Sequence, residues 1–187
     1  MQYVQGWRAT MDARKAQAKL WPLLLIRYPG ADVSNSPLRV RQQILGALVS
    51  GAQGIVLYNP SNMDANYWIM LADTMKDISS YEGYYQHGRR VEGIFSLRGM
   101  PFDKVNKKVW PGYDETVDAS QWAFSAHEWQ EKYVLTLFNL REQGDMEFAI
   151  VSSEKVKPIR LDGVTSKGDF KWVVPAGHIG FITLSKQ

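Results

Sequence analysis

The residues best suited to chemistry sit at the ends of two apolar runs. Arg27 follows the run from Trp21 to Ile26, with Tyr28 and Asp32 just beyond it; Tyr58 and Asn59 close a second run from Gly54 to Leu57, ahead of Asn62 and Asp64. A guanidinium at the end of an apolar strand must be paired or must reach the mouth of a site, because burying it alone is costly. Arg27 therefore reads as a contact to substrate or carboxylate, or as half of a structural ion pair. Tyr58 offers a stacking face and Asn59 a planar amide, the two kinds of group that a sugar site combines. Their plainer reading is a strand end turning through Asn59-Pro60. Trp110 and Tyr113, flanking Pro111-Gly112, are the aromatic residues best placed for exposure, whereas Trp122, Phe124, Trp129 and Trp172 are expected to fill a core. These five, Arg27, Tyr58, Asn59, Trp110 and Tyr113, are the candidate binding residues.

A catalytic pair is harder to find. Glycoside cleavage uses two carboxyl groups flanking one bond, about 5 Å apart for retention and further for inversion. Asp32 reads as a turn residue, and Asp64 as a helix cap or first-turn acid. His87, His127 and His178 are scattered through the later part of the chain, without the spacing of a helical zinc pair, so no metal site is expected. No Gly-x-Ser-x-Gly elbow, Walker-type loop or Gly-x-Gly-x-x-Gly occurs, and no cofactor is expected. The chain has no cysteine, which removes disulfides, thiolate metal sites and a thiol nucleophile.

Composition narrows the class. The 187 residues are 45% hydrophobic and 22% charged, ordinary globular material with room for a substantial core. Charges of both signs are interspersed, and the formal net charge is +3. Lys104, Lys107, Lys108, Arg89 and Arg90 form the nearest approach to a basic cluster and read as a solvated loop, so no nucleic-acid partner is expected. No apolar run approaches the roughly 20 residues that span a bilayer. Compartment is left open by these features.

The elements that must position the candidates change character along the chain. Ala9 to Leu20 is rich in helix formers, and Trp21 to Tyr28 reads as a strand buried on both faces, the kind found in parallel sheets with helical connections. Ser36-Pro37 opens a helix carrying Leu38, Ile44, Leu45, Leu48 and Val49 as far as Gly51. Gly54 to Tyr58 is a second buried strand. Asn62 or Asp64 caps a helix reaching about Ser79, with Tyr67, Met70, Leu71, Thr74, Met75 and Ile78 on one apolar stripe. Beyond Tyr81 the pattern becomes antiparallel: short aromatic and β-branched segments at 91–97, 121–127, 133–138, 147–151, 155–161, 170–174 and 178–184, separated by turns. Gly99 to Asp118 is expected to be a long loop or irregular crossover. The fold expected is thus α/β followed by all-β, divided as residues 1–82 and 83–187.

Two βα units cannot close a barrel, which needs eight parallel strands. The order strand, helix, strand, helix, then a small antiparallel domain resembles the last quarter of a (β/α)8-barrel glycoside hydrolase with its C-terminal β-sandwich. Arg41 to Tyr58 (RQQILGALVSGAQGIVLY), Tyr133 to Leu140 (YVLTLFNL) and Trp172 to Leu184 (WVVPAGHIGFITL) carry that likeness. The resemblance implies a partial barrel and a β-sandwich, carbohydrate as ligand, and a missing N-terminal barrel portion or another chain as partner. It also implies that acids lie on strands outside this chain, so that the polypeptide is not catalytic by itself. Two alternatives stay open: a non-catalytic carbohydrate-binding or interaction module, and a structural subunit that completes its sheet through another chain.

Overall fold

The computed structural model describes residues 23–25, 36–50, 52–58, 63–91, 93–98, 105–110, 113–117, 124–139 and 143–187, with backbone alone for 23–25, 39, 58, 105–110 and 113–117. The helix expected over Ala9 to Leu20 lies outside the described residues. The chain divides into two units, Met1–Gly88 and Arg89–Gln187.

In the first unit, strands β1 (Leu23–Leu25) and β2 (Val56–Tyr58) pair in parallel, Leu23 with Val56 and Leu25 with Tyr58, and helix α1 (Pro37–Val49) lies between them in the chain. Proline suits the first helical position because its missing N–H would have no partner there. The first helical bond runs from the Val40 N–H to the Ser36 carbonyl, 3.0 Å. Val40, Ile44, Leu45, Ala47 and Val49 are buried, whereas Leu38, expected on the same stripe, is exposed.

Helix α2 (Ala65–Gln86) begins at Asp64, whose Oδ1 accepts from the N–H groups of Asn66 at 2.9 Å and Tyr67 at 3.3 Å. It satisfies two donors that the first turn leaves without helical partners. The helix runs well past Ser79, because Tyr81 and Tyr84 extend the buried line of Tyr67, Met70 and Thr74 by another turn. Both His87 and Gly88 then donate to the Gly83 carbonyl, closing the end. Met75, assigned to that stripe from spacing, is 46% exposed and belongs to the opposite face. Val40, Ile44, Tyr67 and Met70 form the core of this unit, with Leu48, Ile55, Leu57, Leu71 and Ile78 packed around them, and Arg41 of α1 is paired with Asp77 of α2. No helix among the described residues is long and apolar enough to cross a membrane.

The second unit is antiparallel. A five-stranded sheet runs in the order β10 (Val156–Asp162), β13 (Ile179–Lys186), β8 (Lys132–Phe138), β7 (Phe124–Trp129), β3 (Arg89–Arg90). A four-stranded sheet runs β11 (Thr165–Ser166), β12 (Lys171–Val174), β9 (Met146–Ser152), β4 (Phe95–Leu97). They share one core: Tyr133, Leu135, Leu137, Ile182 and Leu184 from the first meet Phe95, Met146, Phe148, Ile150, Trp172 and Val174 from the second. The Phe95 and Tyr133 rings meet edge to face at 5.1 Å across it. The unalternating run from Tyr133 to Phe138 is the central strand β8, every residue of it buried, as a strand covered on both faces requires. Pro158 is tolerated because β10 is an edge strand, and the register shifts between Pro158 and Arg160.

Two expectations change here. The segment 91–97 is not one strand: only Phe95–Leu97 pair, as β4, and a turn at Gly93, φ +89°, separates them from β3, which ends at Arg90. Residues 99–118 are not all loop, since β5 (Val105–Trp110) and β6 (Tyr113–Val117) form a hairpin. The pairing runs from Val105 with Val117 to Trp110 with Tyr113, with a register shift between Lys108 and Trp110.

Candidate functional site

The parallel register of β1 and β2 sets Leu25 opposite Tyr58, so the carboxyl ends of the two strands lie side by side. In parallel α/β structures ligands gather at such ends. Tyr58 is the last residue of β2; Arg27 follows the end of β1 by two residues and Asn59 follows Tyr58 directly. Arg27 and Asn59, with Tyr28, Asp32 and Asn62, lie outside the described residues. Asp64 is the exposed N-cap of α2, its carboxylate committed to backbone N–H groups, which accounts for its presence without chemistry.

Trp110 and Tyr113 are brought together. They are the last paired residues of the β5–β6 hairpin before its Pro111-Gly112 turn. The register shift between Lys108 and Trp110 falls directly before them. The hairpin belongs to the second unit, whereas Tyr58 belongs to the first.

The ionisable groups of the second unit serve mainly as ties between strands. Both Nε and Nη2 of Arg89 donate to Oε2 of Glu128, at 2.8 and 2.6 Å, and Lys186 donates to Oε1. One carboxylate thus ties β3, β7 and β13 together. The Lys186 hydrogen bond, with Arg89 adding to it, holds Glu128 below the usual carboxylate range. Lys186 also lies over the Tyr133 ring, 5.1 Å from its centroid, and the Tyr133 hydroxyl donates to Glu154. His127 is buried; desolvation, with Arg90 adding repulsion, lowers it to about 4, so it is neutral near pH 7. His87 and His178 are exposed, and His178 Nδ1 lies 2.7 Å from the Ala176 carbonyl within a turn. Among the described residues no three His, Asp or Glu side chains gather as a metal site would need.

Sequence reasoning missed a cleft of about 430 Å3 in the second unit. Its walls come from Arg98, the end of β9, the β9–β10 turn at Glu154 and Lys155, and Asp169 to Lys171 at the start of β12. Asp169 and Phe170 hold φ values of +44° and +58°. Both are central residues of the turn from Gly168 to Lys171, whose N–H donates to the Gly168 carbonyl at 2.8 Å; aspartate enters the left-handed region readily, whereas it costs Phe170 about 1–2 kcal/mol.

No protein-family model and no curated protein matches the chain. Solved structures do. A GH30 endoxylanase from Clostridium papyrosolvens C71 is 10% identical, with a TM-score of 0.50 over 96% of this chain and 45% of its own. An alpha-amylase from Geobacillus thermoleovorans is 14% identical, with a TM-score of 0.43 over 82% of this chain and 34% of its own. CldA, a cyclomaltodextrin glucanotransferase, is 12% identical, with a TM-score of 0.41 over 92% of this chain and 38% of its own. These structural neighbours are glycoside hydrolases. At 10% identity, the likeness to the endoxylanase is one of fold. The chain spans 34–45% of the length of the structures it matches.

Proposed function

We propose that this chain is the C-terminal region of a glycoside hydrolase-like protein that acts on carbohydrate, and that it contributes sugar contacts but no complete acid pair. The observation that carries the reading is the element order: a parallel β1–α1–β2 unit with α2, followed by two packed antiparallel sheets. The fold likeness to a GH30 endoxylanase over 96% of the chain supports it. In this reading Arg27, Tyr58 and Asn59 line one side of a pocket at the strand ends, where the arginine fixes a polar group and the tyrosine supplies a ring face. Trp110 and Tyr113, at the hairpin tip, add a stacking platform. The acids that cleave the bond belong to further βα units.

A specific observation favours sheet completion by such units, from the same protein or from another chain. On α2, Trp68 is 57%, Ile69 61% and Met75 46% exposed, and Val56 on β2 is 43% exposed. Large apolar groups gathered on one helix and one strand are what neighbouring βα units would cover.

The test is to assay the purified chain on xylan and starch for both binding and hydrolysis, beside light scattering. Binding without release of reducing ends, weakened in Trp110→Ala or Tyr113→Ala, is the expected result. A mass well above 21.3 kDa would support completion of the sheet by another chain. Robust hydrolysis abolished by Asp32→Asn would overturn the proposal, because it would put a catalytic acid in a segment that reads as a turn.

A further inference from the structure

The cleft of the second unit uses none of the five candidate binding residues, so a ligand held there lies beyond the proposed function. Its volume, about 430 Å3, falls within the range of about 300–1,000 Å3 typical of small-molecule sites. Three features of its lining define a ligand. Phe170 is half-buried and is braced edge-on by the buried Trp172, ring centroids 5.4 Å apart, so an aromatic surface is held in place at the wall. Arg98 and Lys155 line the cleft, and neither has a carboxylate partner among the described residues; Lys171, the third cation, has only a 4.0 Å contact to Glu147. Asp169 is an exposed acceptor beside them, and Glu154 adds a second carboxylate, part of whose capacity is taken by the Tyr133 hydroxyl.

Cations alone would suit any anion. Carboxylates in the same lining weaken the attraction for every anion, but they accept hydrogen bonds from one that also carries several hydroxyl groups. An aromatic wall adds a preference for a ring with an apolar face. We infer that this cleft binds a short acidic saccharide, with Arg98 and Lys155 on the sugar carboxylate, Asp169 accepting from ring hydroxyls, and Phe170 against the ring. Asp169 and Phe170 stand next to each other on the cleft wall because they are the central residues of the turn between β11 and β12, which the Lys171 N–H closes on the Gly168 carbonyl at 2.8 Å.

The test is calorimetric titration of the full chain with digalacturonate, an acidic disaccharide, and with xylobiose and cellobiose as neutral ones. Digalacturonate should bind at least about tenfold more tightly than either neutral sugar, the order expected for one charge-assisted pair. Arg98→Gln and Lys155→Gln should each weaken it by about tenfold, with an unchanged circular dichroism spectrum, since both side chains are exposed. Phe170→Ala should weaken acidic and neutral sugars alike. Equal binding of acidic and neutral sugars, no binding of digalacturonate, indifference to Arg98→Gln, or equal binding of polyglutamate or inorganic phosphate would each overturn the assignment. Loss of sugar binding in Trp110→Ala with retention here would separate the fate of this cleft from that of the hairpin site.

Discussion

Gly180 of β13 lies close to Val174 of the other sheet of the second unit, and adding one methyl group there probes the packing between the two sheets. A Cβ at Gly180 would lie 2.0 Å from Val164 Cγ1, 3.1 Å from Val174 Cγ2 and 3.4 Å from the Gly163 carbonyl oxygen. Val174 is fully buried in the facing sheet and has nowhere to go. Val164, only partly buried, must retreat from 2.0 Å to ordinary contact, dragging the β10–β11 connection with it. Overpacking of that kind costs about 1–3 kcal/mol, partly offset by about 0.4–1 kcal/mol because alanine restricts the unfolded chain. The net expectation for Gly180→Ala is a destabilisation of about 1–2 kcal/mol. Val164→Ala removes the clashing methyl at a cost of its own near about 1 kcal/mol. The double variant should therefore recover most but not all of the Gly180→Ala cost, a coupling of about 1 kcal/mol, with the Val174 contact accounting for the remainder. Urea unfolding followed by tryptophan fluorescence measures all three, with an unchanged slope as the sign that compactness is preserved. Gly163→Ala provides the contrast: its φ is +68° and its Cβ would lie 2.6 Å from the Ile179 carbonyl oxygen, so shortening Val164 should not rescue it. Additive behaviour of Gly180→Ala with Val164→Ala, or rescue of Gly163→Ala, would refute the packing argument.

Three further outcomes are expected. His127, held at about 4 against an unfolded value of 6.5, takes up its proton more readily in the unfolded chain, so stability is lost as pH falls from about 6.5 to 4. That loss is about 2.5 kcal/mol by pH 4.5, and His127→Gln should lose less over the same window; parallel urea-midpoint curves for the two proteins would contradict the assignment. Asp64→Ala should destabilise the first unit by about 1 kcal/mol while Asp64→Asn retains most of it, read as a shift in thermal midpoint; no shift would mean that the two backbone donors find other acceptors. In binding assays, Trp110→Ala and Tyr113→Ala should weaken polysaccharide retention similarly, since the two rings flank one turn, and an effect confined to one of them would remove the shared platform.

Much of the scaffold is legible in the sequence because apolar period and edge position leave plain marks. The unbroken run at Tyr133 to Phe138 marks a central strand, and Ser36-Pro37 marks a helix start that the structure keeps. The short strand expected at 147–151 lies within β9 (Met146–Ser152), whose burial alternates. Errors arise where a local signal has two readings. Leu38 and Met75 fit an apolar stripe by spacing, yet both are exposed. Prolines, glycines and lysines over 99–118 read as a loop, and neither VNKKVW nor YDETV alternates clearly enough to mark the strands β5 and β6 that pair there. The helix from Ala65 reads as ending too early because its later tyrosines resemble the start of aromatic β structure; Tyr81 and Tyr84 instead continue the buried face.

Function is less legible for a different reason. A site built on the ends of parallel strands can be guessed from sequence, because each strand end carries its own candidates, as Arg27, Tyr58 and Asn59 do. The cleft of the second unit has no such signature: Arg98, Lys155 and Asp169 come from three connections far apart in the chain, and antiparallel pairing alone draws them together. Leu97 pairs with Ile150 on one edge of β9, and Lys171 pairs with Ala149 on the other. Those two registers bring Arg98 and Asp169 to the same end of the sheet, and moving either by one residue would turn its side chains to the opposite face. The binding chemistry argued for this cleft is therefore a property of register, which turns and core packing set together, and not of any motif along the chain.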